Sequence, residues 1–167
     1  MEMTGLRIER EVPIEIAAIV TNLDFEELDT YHAVIRQPQS FLDGMDDWCQ
    51  QHHAASGLTT AVASGREPSI VESEMVAFVL KHFPGTPAVI AGNSIGQDRL
   101  FIDKYFPRLA AKLHYRMLDV TSWKIVMNER YRTKYEKKNT HRALDDIRES
   151  IAELAFYLRH VSPKPLV

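Results

Sequence analysis

The run I-E-I-A-A-I-V at residues 14–20 most restricts what this chain can fold into. Apolar residues occupy both parities of the run, and most are β-branched, so the pattern predicts a strand covered on both faces. A strand of this kind lies inside a sheet and needs hydrogen-bonded neighbours on both sides. Thr30–Arg36 supplies one neighbour after a turn at Asn22–Asp24, whereas Glu2–Thr4 is too short to be a full second one.

Helical and extended patterns alternate after this hairpin. The last helix carries apolar residues at steps of three and four, which predicts an amphipathic face. Thr121 and Thr140 are the expected N-caps of the last two helices. The order of elements predicts an α/β fold with a mixed sheet, in one domain spanning residues 1–167. Helices are predicted over residues 41–55, 68–83, 95–105, 108–113, 121–131 and 142–160. Further strands are predicted over residues 87–91 and 115–120. The predicted apolar face of the last helix is Leu144, Ile147, Ile151, Leu154, Leu158 and Val161.

Composition excludes several classes of protein. Charged residues interrupt every apolar run well before the roughly 18 residues that a membrane span requires, and the N-terminal region has no pattern of a secretory signal. Cys49 is the only cysteine and cannot form an internal disulfide, which favours a reducing cytoplasm. The formal net charge is −3, so the surface as a whole should not attract long nucleic acid. A nucleic-acid substrate would therefore be short and bound locally.

Three acidic positions are candidates for chemistry. Asp98 lies in G-N-S-I-G-Q-D, just after a predicted strand and on the first turn of a helix, where open α/β sheets bind ligands. The alternative for Asp98 is simple complementation of the helix dipole. His141 and Asp146 stand at the entry to the last helix, and their spacing alone indicates little. Glu2 is either a solvated terminal charge or part of a functional pair.

These residue types could support phosphodiester hydrolysis. Hard divalent cations require several carboxylate oxygens from different elements. Two such ions, roughly 3.5–4 Å apart, can activate water and stabilise the leaving oxygen. A histidine with a pKa of about 6.5 can accept the proton of that water. Glu2, Asp98, Asp146 and His141 supply this chemistry if folding brings them together.

Six motifs, taken together, are much more specific than these spacings. They are E-M-T-G-L at 2–6, M-D-D-W at 45–48, H-x-A-S-G-L at 53–58, G-N-S-I-G-Q-D at 92–98, H-Y-R-x-L-D-V at 114–120 and H-R-A-L-D-D-I-R-E-S at 141–150. In this order they closely resemble the oligoribonuclease family, part of a 3′-to-5′ exonuclease group with four acidic residues and a histidine. The resemblance runs from Met1 to about His160.

The resemblance implies a ribonuclease-H-like mixed sheet flanked by helices, with its first strand truncated here. It implies a cytoplasmic homodimer that removes nucleotides from the 3′ end of very short RNAs, with dinucleotides as the characteristic substrate and two Mg²⁺ or Mn²⁺ ions as cofactors. It also implies roles for individual residues. The metal ligands would be Glu2, Asp98 and Asp146 (rather than Asp145), and the general base would be His141. Leu6 and Trp48 would form an apolar wall for the bases, and the polar substrate contacts would be His53, Ser94 and Gln97. The partner subunit would offer Tyr115, with its ring beside a base, and Arg116, with its guanidinium near the 5′ phosphate.

The implied binding groups have a physical rationale and also plain alternatives. Base stacking on an aromatic ring contributes about 1–3 kcal/mol per base regardless of sequence, which suits a general scavenger. An arginine at a 5′ phosphate would select substrates by length, because a longer chain would have to continue through that point. Leu6 and Trp48 could instead be core residues, and tyrosine is common in strands such as the one containing Tyr115.

The N-terminus departs from the family pattern, which reads Asp, one residue, Glu. Met1 occupies the middle position, and the family has a strand upstream of it in the middle of the sheet. We hypothesise that the chain is a shortened form whose start is assigned too far downstream. The intact mass of the natural protein tests this, since a mass matching residues 1–167 would remove the explanation. If the given chain is complete, we expect severely weakened metal binding and hydrolysis.

Two other functions remain open at the level of sequence. A proofreading-type exonuclease on single-stranded DNA shares the same acidic and histidine pattern. A non-catalytic or impaired nucleotide-binding homologue is the second alternative, and its support is the absence of the first metal-ligand aspartate. Relative rates on a dinucleotide and a 20-mer separate the enzymes, and metal-stimulated hydrolysis separates either enzyme from a binder.

Overall fold

A computed structural model describes residues 1–136 and 143–161 of the chain. Helices and strands alternate through most of it, which confirms the α/β class. The strands are β1 (Glu2–Met3), β2 (Pro13–Thr21), β3 (Glu27–Val34), β4 (Ala88–Gly92) and β5 (Leu113–Asp119). The helices are α1 (Gln39–Asp43), α2 (Asp47–Ala55), α3 (Leu58–Val62), α4 (Pro68–His82), α5 (Ile95–Tyr105), α6 (Pro107–Ala110), α7 (Val120–Tyr131) and α8 (Ala143–Arg159).

The strands form two hydrogen-bonded groups in the described parts of the chain. The first group is antiparallel, in the order β1-β2-β3, and the second is the parallel pair β4-β5. β1 contributes only two residues, paired as Glu2 with Glu15 and Met3 with Pro13. Both parallel and antiparallel pairs are therefore present, as predicted. They are not joined by a ladder among these residues, which differs from the predicted single mixed sheet.

β2 supports the core with one face and a polar site with the other. Ile14 and Ile16 are buried in two hydrophobic clusters, the first with α1, α2 and α3 and the second with β3, α4 and β5. Glu15 points to the opposite face, because side chains alternate along a strand, and it is fully buried. The prediction of a strand covered on both faces holds for residues 13–16, whereas residues 17–21 are half-buried.

Polar residues set the ends of several helices, which the periodicity of apolar residues did not predict. The predicted helix 41–55 is two helices, because the Asp46 carboxylate caps α2 by accepting from the Cys49 backbone N–H. Asp119, and not Thr121, caps α7, and its side chain accepts from the Thr121 N–H. β3 begins three residues before the predicted Thr30, and α3 was not predicted.

α8 packs on β2 with a face that differs from the predicted stripe. Its buried residues are Ala143, Ser150, Glu153, Leu154 and Tyr157, so the covered face contains two polar side chains. Leu158 and Val161, assigned to the apolar stripe, are 36% and 41% exposed. The buried polar groups form hydrogen bonds with the end of β4, so α8 is positioned by polar contacts as well as by apolar packing. The predicted cap Thr140 lies outside the described residues.

Candidate active site

The start of the chain lies directly against α5. The Met1 ammonium is 3.0 Å from Asp98 Oδ1, and Gln97 Nε2 donates to the Leu6 carbonyl at 2.9 Å. These two contacts bracket β1, which contains Glu2. Folding therefore brings Glu2 beside Asp98, although the two residues are far apart in the sequence.

Asp98 is on the first turn of α5, as the sequence predicted. The turn from β4 into α5 is fixed at Ser94, which has a left-handed backbone (φ 51°). Its N–H donates to Asp119 Oδ1 at 3.0 Å and to Thr121 Oγ1 at 2.9 Å. The predicted substrate contact Ser94 has an exposed side chain, so its hydroxyl borders the same edge of the fold as Asp98.

Asp146 is on the first turn of α8, and polar contacts to other elements hold that helix. The Ala143 N–H, at the start of α8, donates to Glu15 Oε2 at 3.2 Å. About two to three turns later, Asn93 Nδ2 donates to Ser150 Oγ at 2.9 Å and to Glu153 Oε2 at 3.0 Å. Because Glu15 pairs with Glu2 in the β1–β2 ladder, the same contacts bring the start of α8 towards Glu2.

Sequence reasoning missed Glu15 and Asn93. For Glu15 a signal was present, since a lone carboxylate inside an apolar, buried strand needs a partner. For Asn93 the signal was weaker, because asparagine is common in the turns that follow strands. Neither spacing nor periodicity indicated that both residues contact the last helix.

The carboxylates at this site affect one another electrostatically. The pKa of Glu2 is raised to about 7, chiefly by burial and also by the charges of Asp146, Glu15 and Asp98, against the opposing effect of the Met1 ammonium. For that ammonium, burial acts to lower the pKa, but Asp98 and Glu2 outweigh it and the pKa is raised. Three acidic residues from β1, α5 and α8 therefore share one electrostatic environment.

His53 supports β1 from below. It is 4% exposed, and its Nε2 donates to the Met3 carbonyl at 2.9 Å. Its Nδ1 lies 4.0 Å from Glu2 Oε2, and burial lowers the pKa of the imidazole. The structure thus gives the predicted substrate contact His53 a buried place beneath the strand that carries Glu2.

Leu6 and Trp48 are exposed, so the alternative that they are core residues is wrong. Their exposed fractions are 68% and 60%. The Trp48 ring stacks on His52 with centroids 3.8 Å apart, which holds the indole at the surface. Exposed large apolar side chains near a polar site are available for ligand contact.

Tyr115 and Arg116 stand on β5 and project into solvent. Tyr115 is 72% exposed. Its ring stacks on His114 at 4.5 Å, and the Arg116 guanidinium lies 5.1 Å from its centroid. Both groups contact His114 or each other and are exposed, so they are presented outward.

Comparisons with known proteins identify the family of this chain. The profile of an exonuclease family, RNase T, matches residues 1–154. Relatives named oligoribonuclease include a mitochondrial protein of Homo sapiens, 42% identical over 99% of this chain and 73% of the relative. Proteins of the same name from Ectopseudomonas mendocina and Arabidopsis thaliana are 44% and 43% identical over 96% of this chain. The matched regions make up 92% and 75% of those two proteins. The chain belongs to the oligoribonuclease family of exonucleases.

Oligoribonuclease-family chemistry calls for divalent ions, and the donor set here is chemically suited to them. Glu2, Asp98 and Asp146 offer carboxylate oxygens, the ligands that Mg²⁺ and Mn²⁺ prefer, and a cation would offset the mutual repulsion that acts on Glu2. Within residues 1–136 and 143–161, no three His, Cys, Asp or Glu side chains are grouped so that they could hold a metal ion. The predicted general base His141 lies outside these residues.

The raised pKa of Glu2 predicts a specific pH dependence of stability in the metal-free protein. Between pH 4.5 and about 7 the folded state retains a proton on Glu2 that the unfolded chain releases. Raising the pH through this range therefore lowers the free energy of unfolding. Glu2→Gln mimics the protonated side chain and should be more stable than the parent by about 1–3 kcal/mol at pH 8, but equal to it near pH 4.5. Urea denaturation in EDTA between these pH values measures this difference, and a pH-independent difference would contradict it.

The helices in the described part of this oligoribonuclease-family chain are too short or too polar to cross a bilayer.

Proposed function

We propose that this chain is a 3′-to-5′ exoribonuclease that converts very short RNAs, dinucleotides above all, to mononucleotides with two divalent ions, Mg²⁺ or Mn²⁺. Residues 1–167 would form one exonuclease domain. Membership of the oligoribonuclease family supports the reaction class. The shortness of the substrate is consistent with a chain whose net charge is −3, because binding a long RNA requires a basic surface.

One observation carries the proposal. β1 lies against α5 through the Met1–Asp98 ion pair, and the start of α8 is bonded to the residue that faces Glu2 across the ladder. The charges of Asp98 and Asp146 both act on Glu2, so three carboxylates from distant parts of the sequence lie close enough to interact electrostatically. In a member of an exonuclease family, this proximity supports a site for cation-assisted phosphodiester hydrolysis.

Each residue then has a defined task. Glu2, Asp98 and Asp146 would hold the ions, which would help to activate water and to stabilise the leaving oxygen. His141 would accept the proton of the attacking water. Ser94 and Gln97 border Asp98 and would contact the substrate, and Gln97 also holds the backbone of Leu6. His53 would act chiefly through β1, because one nitrogen of its buried ring binds the Met3 carbonyl.

Leu6 and Trp48 would contact the bases, and Trp48→Ala tests this. Loss of stacking should raise KM for a dinucleotide about tenfold with a small change in kcat, since a stacked base contributes about 1–3 kcal/mol. The melting temperature should be almost unchanged because Trp48 is 60% exposed. Steady-state kinetics measure the effect, with Trp48→Phe as the control that keeps a stacking ring. An unchanged KM in Trp48→Ala would exclude the indole from the binding site.

Tyr115 and Arg116 would act on the substrate of a partner subunit in a homodimer. Both are exposed and bonded mainly to neighbours on β5. A guanidinium that binds a terminal phosphate would limit substrates to those that end there.

The comparison of a 5′-phosphorylated ribodinucleotide with a single-stranded 20-mer tests the proposed function. We expect kcat/KM for the dinucleotide to exceed that for the 20-mer by about 100-fold, because binding energy is concentrated in one or two nucleotides. RNA and DNA versions of both substrates are assayed in parallel with Mn²⁺. A preference for long DNA would favour the proofreading type of exonuclease, and absence of hydrolysis with retained nucleotide binding would favour the non-catalytic homologue.

A further inference from the structure

Glu15 is a fully buried carboxylate at the centre of the proposed site and has no role among the metal-binding or substrate-binding residues. It lies on β2 opposite Glu2 and is 0% exposed. A carboxylate costs several kcal/mol to bury unless charged or hydrogen-bonding partners compensate it. A chain that only needed an interior strand would gain stability from an apolar residue at this position.

Two partners of Glu15 in the described part of the chain come from different elements. Its Oε1 is 2.7 Å from His32 Nε2 on β3, and its Oε2 accepts the Ala143 N–H at 3.2 Å. His32 fixes the orientation of the carboxylate, and the second oxygen is thereby directed at α8. The first N–H groups of a helix have no partner within the helix, so a buried carboxylate is an effective acceptor for one of them.

Ala143 is the first residue of α8, and Asp146 follows it by less than one turn. A helical turn is rigid, so the position of the Ala143 N–H determines where the Asp146 side chain emerges. Other anchors of α8 lie further along the helix: Arg148 donates twice to Glu27, and Asn93 donates to Ser150 and Glu153. These contacts fix the body of α8, whereas the Glu15 hydrogen bond acts on its first turn.

We propose that Glu15 is a positioning residue, which ties the first turn of α8 to β2 and so sets Asp146 against Glu2 on the adjacent strand. This role rests on the proposed metal-dependent function of the site. It requires the length of the Glu15 side chain, because the bond to Ala143 must cross from the sheet to the helix. Its negative charge is secondary for this role.

Two conservative substitutions separate length from charge. Glu15→Asp keeps the charge but is one methylene shorter, so it should lose the bond to Ala143. Glu15→Gln keeps the length and an acceptor oxygen but removes the charge, so it should retain the bond. Glu72 provides a matched control, because it is also buried, at 7% exposure, and accepts the Arg108 N–H at the start of α6, away from the site. Glu72→Asp and Glu72→Gln are therefore made in parallel.

Hydrogen exchange of the metal-free protein is the first readout. In Glu15→Asp the peptide covering the first two turns of α8 should exchange about tenfold faster or more, while peptides from α4 remain as in the parent. Glu15→Gln should exchange like the parent in α8. The Glu72 variants should leave α8 unchanged. Parent-like exchange of α8 in Glu15→Asp, or equal acceleration throughout the fold, would overturn the proposal.

Metal binding and kinetics are the second readout. Calorimetric Mn²⁺ affinity should fall about tenfold or more in Glu15→Asp, and kcat for a dinucleotide should fall while KM stays within about twofold. Glu15→Gln should keep most of the Mn²⁺ affinity and most of the kcat of the parent. Unchanged Mn²⁺ affinity and kcat in Glu15→Asp would exclude a positioning role. If the parent itself neither binds Mn²⁺ nor hydrolyses RNA, the proposed function fails, and hydrogen exchange alone decides whether Glu15 holds α8.

Discussion

Asp146→Asn should reduce kcat for a ribodinucleotide about 10³-fold while the protein stays folded. The substitution replaces one of the three carboxylates proposed to hold the ions, and metal assistance contributes several kcal/mol to hydrolysis of this kind. The side chain is half-buried on the first turn of α8, and the amide is nearly isosteric, so packing should change little. Single-turnover hydrolysis at saturating Mn²⁺ and circular dichroism measure the two parts of this prediction.

Asp145→Asn is the matched control. Asp145 is the preceding residue on the same turn, 50% exposed, with Arg148 Nη1 3.8 Å from its Oδ1. A surface ion pair of this kind contributes about 0–1 kcal/mol, so hydrolysis should stay within about twofold of the parent. Equal losses in both variants would mean that the helix terminus, rather than the Asp146 carboxylate, matters for catalysis. An active Asp146→Asn would remove Asp146 from the metal site.

Removal of divalent ions with EDTA should reduce hydrolysis by about 10³-fold or more, and added Mn²⁺ should restore it. Mn²⁺ should also stabilise the fold, because at the proposed site it would offset the repulsion that Asp98 and Asp146 exert on Glu2. A ligand at 100 times its Kd adds about 2.7 kcal/mol, which corresponds to an increase of roughly 5–10 °C in the melting temperature of a chain of this size.

Thermal melts with and without Mn²⁺ measure this stabilisation, and Ca²⁺ at the same concentration controls for general ionic effects. The increase in melting temperature should be much smaller in Asp146→Asn. Hydrolysis that persists after exhaustive chelation would contradict the proposed chemistry. An increase of equal size in parent and Asp146→Asn would show that the stabilising ion binds elsewhere.

Local patterns predicted those parts of the fold that depend on neighbouring residues. The strand at residues 14–20, the helix from Ile95 to Tyr105 and the position of Asp98 on its first turn agree with the structure. Each depends on a short apolar run or on a strand followed directly by a polar turn. Family motifs, rather than periodicity, selected Trp48, and its exposure decides against the apolar-core alternative.

The parts of the fold and of the site that the sequence did not predict depend mainly on contacts between distant segments. Spacing could not show that Glu15 reaches Ala143, or that Asn93 bonds to Ser150, because the members of these pairs are 128 and 57 residues apart. The buried face of α8 was mispredicted for the same reason, since its polar members Ser150 and Glu153 bond to Asn93, in the turn after β4. The division of residues 41–55 followed from one side chain, the Asp46 cap, which outweighs helical periodicity.

The stacked pair formed by Trp48 and His52 gives the protein a built-in optical probe. The sequence contains two tryptophans, and one of them presents a ring that is 60% exposed, backed by an imidazole 3.8 Å away. A nucleobase that covers the open face would replace water with a second π-surface and change the indole fluorescence. With Trp123→Phe, emission would come from Trp48 alone, so occupancy of that face could be followed in real time and without a label.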